Sequence, residues 1–284
     1  MTEDSSPIEL SISLNAFKKN IPYKHPSMPK SVPVFIHGDV IKGKFSIKLK
    51  EGTSIQHKGI SISLIGKYDG PSSPTVDPFF SNVLQLLPPS KLSISINSTY
   101  NFGRLSLPCG SYYGTCFSLI YYVEIKVDRG AQSIVKRKHF YHIKPQKFQK
   151  TPLVKGIGIT NVLHMDIIFD STTVDPRIGF IGSLYFELFK LRIVSVSFEI
   201  VQREGDIFEY KKDTTLVTFE VLDGAPVRGT LIPIRFFTGS LNLWPAPRND
   251  KITVEYFIKV HAVDETGAIY VKLHPVNFVF QLHQ

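Results

Sequence analysis

The 284 residues carry a net charge of +9, with 43% hydrophobic and 20% charged side chains and two cysteines. That length suits two domains of about 140 residues, each able to bury its own core, and two cysteines are too few for a disulfide framework, so Cys109 and Cys116 are expected as free thiols. The charge is regional: residues 1–150 hold 20 Lys and Arg against 9 Asp and Glu, or +11, and residues 151–284 hold 13 against 15, or −2. The basic half is Lys-rich with its charges alternating along apolar residues. It lacks the Arg clusters interleaved with aromatics that nucleic-acid binding calls for, so no nucleic-acid partner is expected. A solvated strand face, or one for anionic lipid or acidic partners, fits better.

The amino terminus, MTEDSSPIEL, is acidic where a secretory signal is basic and then apolar, so nothing there directs the chain out of the cytosol. Period-two alternation then dominates the first half, in Ile8 to Leu14, Ile41 to Leu49, Ile60 to Ile65, Leu92 to Ile96 and Phe117 to Val127. Gly38 to Lys44, GDVIKGK, imitates a phosphate loop. Phe45 stands where Ser or Thr is needed, and the alternating residues that follow predict a strand instead of a helix amino terminus. Pro78 to Leu87 reads as a short helix or an ordered loop, ended by Pro88 and Pro89. His139 and His142 lie three apart on a strand, hence on opposite faces, and are expected as surface residues beside Lys136, Arg137 and Lys138. Pro145 to Pro152 is a short Pro-bounded linker.

Seven further strands are predicted: Lys155 to Ile168, Arg177 to Phe189, Ile193 to Arg203, Thr214 to Val221, Thr230 to Phe237, Ile252 to Val263 and Ile269 to Phe280. His164 sits in an apolar run and reads as a hydrogen-bonded core residue before a metal ligand. Phe180 to Val201 is apolar but interrupted by Glu187, Lys190 and Arg192, which suits two strands and not a membrane span. Between Phe219 and Phe237, Gly224, Pro226 and Gly229 are turn formers beside Val221, Leu222 and Val227. The segment reads either as a hairpin with Val221 and Leu222 in the core or as an apolar docking loop. Asp264 and Glu265 belong to a hairpin turn, DETG.

The expected fold class is therefore all-β, two β-sandwiches in tandem, with domains at residues 1–148 and 149–284. No nucleophile elbow, paired carboxylates or acidic metal cluster stands out, so neither an enzyme, a metal site nor a cofactor is expected.

Several runs resemble the arrestin-like retromer subunit, the vacuolar protein sorting-associated protein 26 family. In the second half these are Val162-Leu163-His164, Gly182 to Leu188 (GSLYFEL), Val201 to Glu204 (VQRE), Asp223 to Arg235 (DGAPVRGTLIPIR) and Val254 to Asp264 (VEYFIKVHAVD). In the first they are Gly38 to Gly43, His57 to Ile60, Ser111 to Gly114 and Tyr121-Tyr122. The resemblance implies a bilobal arrestin fold. It also implies a non-enzymatic coat subunit whose second lobe binds a large helical-solenoid scaffold, and which meets a sorting nexin and cargo cytoplasmic tails at endosomal membranes, touching the membrane only peripherally. By the same likeness Val221, Leu222, Asp223, Gly224, Pro226, Val227, Arg228 and Gly229 form the scaffold contact. Val221 and Leu222 would then be anchors contributing about 1.5–3 kcal/mol each, with Arg228 a charged contact at the rim. Val154, Lys155, Gly156, Ile157, Gly158, Ile159 and Thr160 would form an edge strand that accepts a sorting-signal peptide. FFSNVLQLL is as similar to the paralogous retriever subunit, which keeps a retriever-type or other arrestin-like adaptor as the alternative. Residues 1–30 have no assigned role.

Overall fold

A computed structural model describes residues 7–15, 32–71, 78–159, 161–207, 209–241, 243–247 and 250–280. Among the described residues every regular element is a strand, as the alternation predicts. Two units are distinguished: Met1–Tyr113 with Phe117–Lys144, and Gly114–Cys116 with Pro145–Gln284.

The first unit contains β1 (Ile8–Leu14), β2 (Val34–Ile36), β3 (Val40–Leu49), β4 (Ile55–His57), β5 (Gly59–Asp69) and β6 (Phe80–Leu87). It continues with β7 (Ser90–Leu92), β8 (Ile96–Arg104), β9 (Tyr112–Tyr113), β10 (Ser118–Asp128) and β11 (Ser133–Ile143). One sheet runs β1-β3-β8, a larger one β2-β11-β10-β5-β6 with β9 on β10, and β4 pairs with β7. Strand periodicity decides which side chains meet: along β3, Ile41, Phe45 and Ile47 turn inward while Lys42, Lys44 and Lys48 face out. Part of the basic excess is therefore a solvated strand face. Gly38, in a turn with φ of +92°, leads into β3, so no helix amino terminus follows the glycine-lysine run.

Three readings of this half are corrected. Pro78 to Leu87 is neither helix nor loop, because Phe80–Leu87 pairs antiparallel with β5, from Gly66↔Phe80 to Ile60↔Leu87. Satisfying the backbone of β5 outweighs a weak helical pattern, and Val83 is left exposed as a result. Leu92 to Ile96 is not one strand: β7 ends at Leu92 and β8 begins at Ile96, in different sheets. His142 is not a surface residue. The last four residues of β11 are buried on both faces, and His142 donates its backbone N–H to Ser111 Oγ at 2.9 Å while its Nδ1 lies 2.8 Å from the Cys109 carbonyl. Burial, first among the causes, pushes its pKa down to about 4. Cys109 and Cys116 are both free thiols.

The second unit contains β12 (Leu153–Ile159), β13 (Leu163–Phe169), β14 (Thr173–Val174), β15 (Phe180–Phe189), β16 (Ile193–Asp206), β17 (Lys211–Asp223), β18 (Leu231–Phe236), β19 (Ile252–Asp264) and β20 (Ile269–Phe278). Its sheets run β12-β13-β15-β18 and β14-β20-β19-β16-β17. Rings from the two sheets interlock to form the core. Phe169 on β13 meets Phe198 on β16 at 6.1 Å, Phe180 on β15 meets Phe278 on β20 at 5.8 Å, and Phe236 on β18 meets Phe198 at 5.0 Å and Phe219 on β17 at 4.8 Å. Such edge and offset contacts add to the burial of large apolar surface. This is the arrestin-like all-β sandwich class that the alternating pattern and the family resemblance imply.

Two corrections apply here. Lys155 to Ile168 is a hairpin and not one strand, reversed around Asn161, whose φ of +61° lies in the left-handed region that Asn tolerates better than most residues. Strands β17 and β18 do not form a hairpin either. Strand β17 pairs with β16 and β18 with β15, so Gly224 to Thr230 carries the chain from one sheet to the other.

Candidate functional site

The crossover between β17 and β18 is shaped by its glycines. Gly224 and Gly229 have φ of +96° and +75°, values costly for any residue with a Cβ. Gly224 donates its N–H to the Val194 carbonyl at 2.7 Å, and the Thr230 N–H closes a turn on the Val227 carbonyl at 3.2 Å. Pro226 is buried beneath the loop, while Val227 stands 68% exposed at its surface.

A bulge in the neighbouring sheet receives this loop. The β13–β15 register is regular from Phe169↔Gly182 to Met165↔Phe186, then shifts so that His164 faces Leu188, leaving Glu187 as the extra residue. The β15–β18 ladder ends at Tyr185↔Leu231, and at the bulge the next two carbonyls of β15 both take donors from the loop. The Gly229 N–H supplies Phe186 at 3.0 Å, and Arg228 Nε supplies Glu187 at 2.8 Å. Loop and bulge thus complete each other's hydrogen bonding.

Beside them lies an open groove of about 620 Å³, lined by Gly156, Gly158 and Ile159 of β12, by Asn161, Leu163 and His164 around the hairpin, and by Glu187, Leu188 and Arg228. His164 is not the core residue that its apolar neighbours suggest: its side chain is 44% exposed, with Nε2 3.3 Å from Asp166 Oδ1 and 3.4 Å from Glu187 Oε2. The reason is periodicity, since Leu163, Met165 and Ile167 turn inward and leave His164 and Asp166 together on the outer face.

Of the residues assigned to a scaffold contact, Val221 and Leu222 are the last apolar residues of β17 and half-buried, with Leu222 opposite Val196. Asp223, Val227, Arg228 and Gly229 are exposed, Gly224 is intermediate and Pro226 is buried. Val227 is therefore the apolar side chain that the loop presents most fully, continued by Leu231, Pro233 and Arg235 on the outer side of β18. Of the residues assigned to peptide capture, Val154 to Ile159 lie on β12, which among the described residues pairs only with β13. Val154 and Ile159 are exposed, Lys155, Gly156 and Gly158 likewise, and Ile157 turns into the core. Thr160 lies outside the described residues, as do positions 1–6 and 16–30 of the amino-terminal segment. The residues that sequence reasoning missed are Asp166 and Glu187. Alternation along Leu163–Phe169 pairs Asp166 with His164, but nothing in the residue order marks the bulge at Glu187.

Residues 4–267 match the family described as Vacuolar protein sorting-associated protein 26. The chain is 32% identical over 262 residues to the vacuolar protein sorting-associated protein 26 of Dictyostelium discoideum, covering 86% of this chain and 73% of that protein. It is 28% identical over 276 residues to the protein of the same name from Plasmodium falciparum, covering 93% and 92%. It is 28% identical over 257 residues to vacuolar protein sorting-associated protein 26B of Mus musculus, covering 86% and 75%.

Proposed function

Since this chain belongs to the vacuolar protein sorting-associated protein 26 family, whose work is protein transport, we propose that it is a non-enzymatic retromer coat subunit. Its second unit is held by a large helical-solenoid scaffold through the Val221 to Gly229 segment. The observation that carries this reading is the crossover itself: positive-φ glycines and hydrogen bonds to β15 fix its backbone, and Val227 stands out of it into solvent. A loop whose conformation is set before binding loses little entropy on docking, and an exposed apolar residue on it is the kind of group that becomes an anchor.

Strand β12 supplies the second contact. With one side unpaired among the described residues, it accepts a sorting-signal peptide or a sorting-nexin segment as an added strand, with Val154 and Ile159 offering apolar side chains. The protein reaches endosomal membranes as part of the coat, and the outward lysines of β3 give it a cationic face that suits anionic headgroups. No helix among the described residues is long and apolar enough to cross a membrane. Co-purification of the scaffold with the wild-type chain, and its loss with Val227→Asp, tests the assignment; equal capture by the two would overturn the placement.

A further inference from the structure

We propose that His164, Asp166 and Glu187 form a binding site for a divalent transition cation of the zinc class. The three side chains offer one nitrogen and two oxygens, all within 4.8 Å of one another. The His164 distances suit a coordination site. A charge-assisted hydrogen bond from an imidazolium to a carboxylate spans about 2.7–2.9 Å. His164 Nε2 instead lies 3.3 Å from Asp166 Oδ1 and 3.4 Å from Glu187 Oε2. Two ligand atoms each about 2.0–2.1 Å from a tetrahedral zinc ion are separated by roughly 3.3–3.4 Å, the edge of that tetrahedron. The two separations from His164 are compatible with that edge, and the third lies within 4.8 Å.

The surroundings agree with the geometry. Nitrogen and carboxylate oxygen donors suit zinc and its neighbours, and two carboxylates supply the charge that a divalent ion needs. His164 and Glu187 line the groove, so a fourth ligand such as water can reach the site from there. Gly156 opposes Asp166 on β12, and a Cβ there would come within 3.1 Å of His164 Cε1 and 3.4 Å of Asp166 Oδ1, so the missing side chain keeps the approach clear. The bulge delivers Glu187, and Arg228, the groove's cation, is tied through Nε to the Glu187 carbonyl. The site would bind β13 to β15 at the bulge, where their ladder is weakest.

The test uses the full chain, freed of metal with a chelator and titrated calorimetrically with Zn²⁺ alone. Wild type is expected to bind one equivalent, and His164→Ala and Glu187→Gln each to weaken that binding roughly tenfold or more. Both side chains are substantially exposed, so the metal-free variants are expected to melt with wild type; were His164→Ala to fail to fold, Glu187→Gln decides alone. Co²⁺ in place of Zn²⁺ reads the geometry, with the intense visible bands of tetrahedral coordination expected in wild type and absent from Glu187→Gln. Equal Zn²⁺ affinity in wild type and Glu187→Gln, or no uptake by wild type, would overturn the site.

Discussion

Replacing Val227 by Asp separates docking from folding. Fully burying a valine side chain contributes about 1.5–3 kcal/mol. With 68% of Val227 still exposed in the free chain, covering it by a partner is worth about 1–2 kcal/mol, so Val227→Ala is expected to weaken scaffold binding by roughly 5- to 30-fold. Val227→Asp costs more, because an unpaired carboxylate must also be desolvated, and a loss of about a hundredfold or greater is expected. The folded chain loses almost nothing, since the side chain already faces solvent and the turn hydrogen bond uses the backbone carbonyl of Val227. Leu222→Asn is the contrast. Leu222 is half-buried opposite Val196, so this change is expected to cost about 1–2 kcal/mol of stability and to lower the melting temperature by a few degrees. Calorimetric titration against the purified solenoid scaffold, with a melting curve for each variant, measures both effects. If Val227→Asp binds within about twofold of wild type, the loop is not where the scaffold is held.

Phe236→Ala removes a ring that meets Phe169, Phe198 and Phe219, and is expected to cost about 3–5 kcal/mol in urea denaturation; a loss below about 1 kcal/mol would show that the two sheets of the second unit do not share that core. The pKa of His142 is lowered to about 4 by burial, whereas an unfolded histidine titrates near 6.5, so the unfolded state binds more protons between those values. The neutral ring's contribution is therefore complete above about pH 6.5 and lost as pH falls toward 4, a fall of roughly 3 kcal/mol. An NMR titration of His142 with a midpoint near 6.5 would contradict it. Asp264 accepts hydrogen bonds from the Thr266 hydroxyl, the Tyr270 hydroxyl and the backbone of Thr266 and Ala268, which hold its pKa at about 2. Its stabilisation is complete above the ordinary carboxylate value near 4 and disappears as pH drops through about 2. The stability gap between wild type and Asp264→Asn should shrink across that window, and a gap independent of pH would refute the assignment.

Most of the fold was legible because a half-buried strand writes its two faces into alternate residues. Strand β19 shows this plainly, with Val254, Tyr256, Ile258, Val260 and Ala262 inward and the residues between them more exposed. The misreadings fall where a long-range partner set the outcome. Strand β6 carries apolar residues at helical spacing and is a strand because β5 needs a neighbour. His142 sits in a run whose first residues, Ser133 to Arg137, look like any solvated strand, and its hydrogen-bond and ring partners, Cys109, Ser111, Tyr121 and His37, lie far from it in the chain. The turn at Asn161 lacks the glycine that would have announced it.

The candidate site divides along the same line. Gly224, Pro226 and Gly229 were recognisable as shapers of a connection because positive φ and a fixed φ are properties of single residues. Which apolar neighbour that connection presents was not, because it depends on where β17 stops. The ladder with β16 extends to Ser195↔Asp223, which draws Val221 and Leu222 into the sheet and leaves Val227 outside. Glu187 was hidden for a related reason. A bulge belongs to two strands together, and only the register of β13 against β15 shows that one residue of Gly182 to Leu188 is left over. The same irregularity exposes the carbonyls that Arg228 and Gly229 take up and sets a carboxylate beside His164. Removing the bulge by deleting Glu187 would therefore disturb the loop's anchorage and the proposed cation site at once, whereas Glu187→Gln keeps the backbone carbonyls that accept from Arg228 and Gly229 and changes only the site.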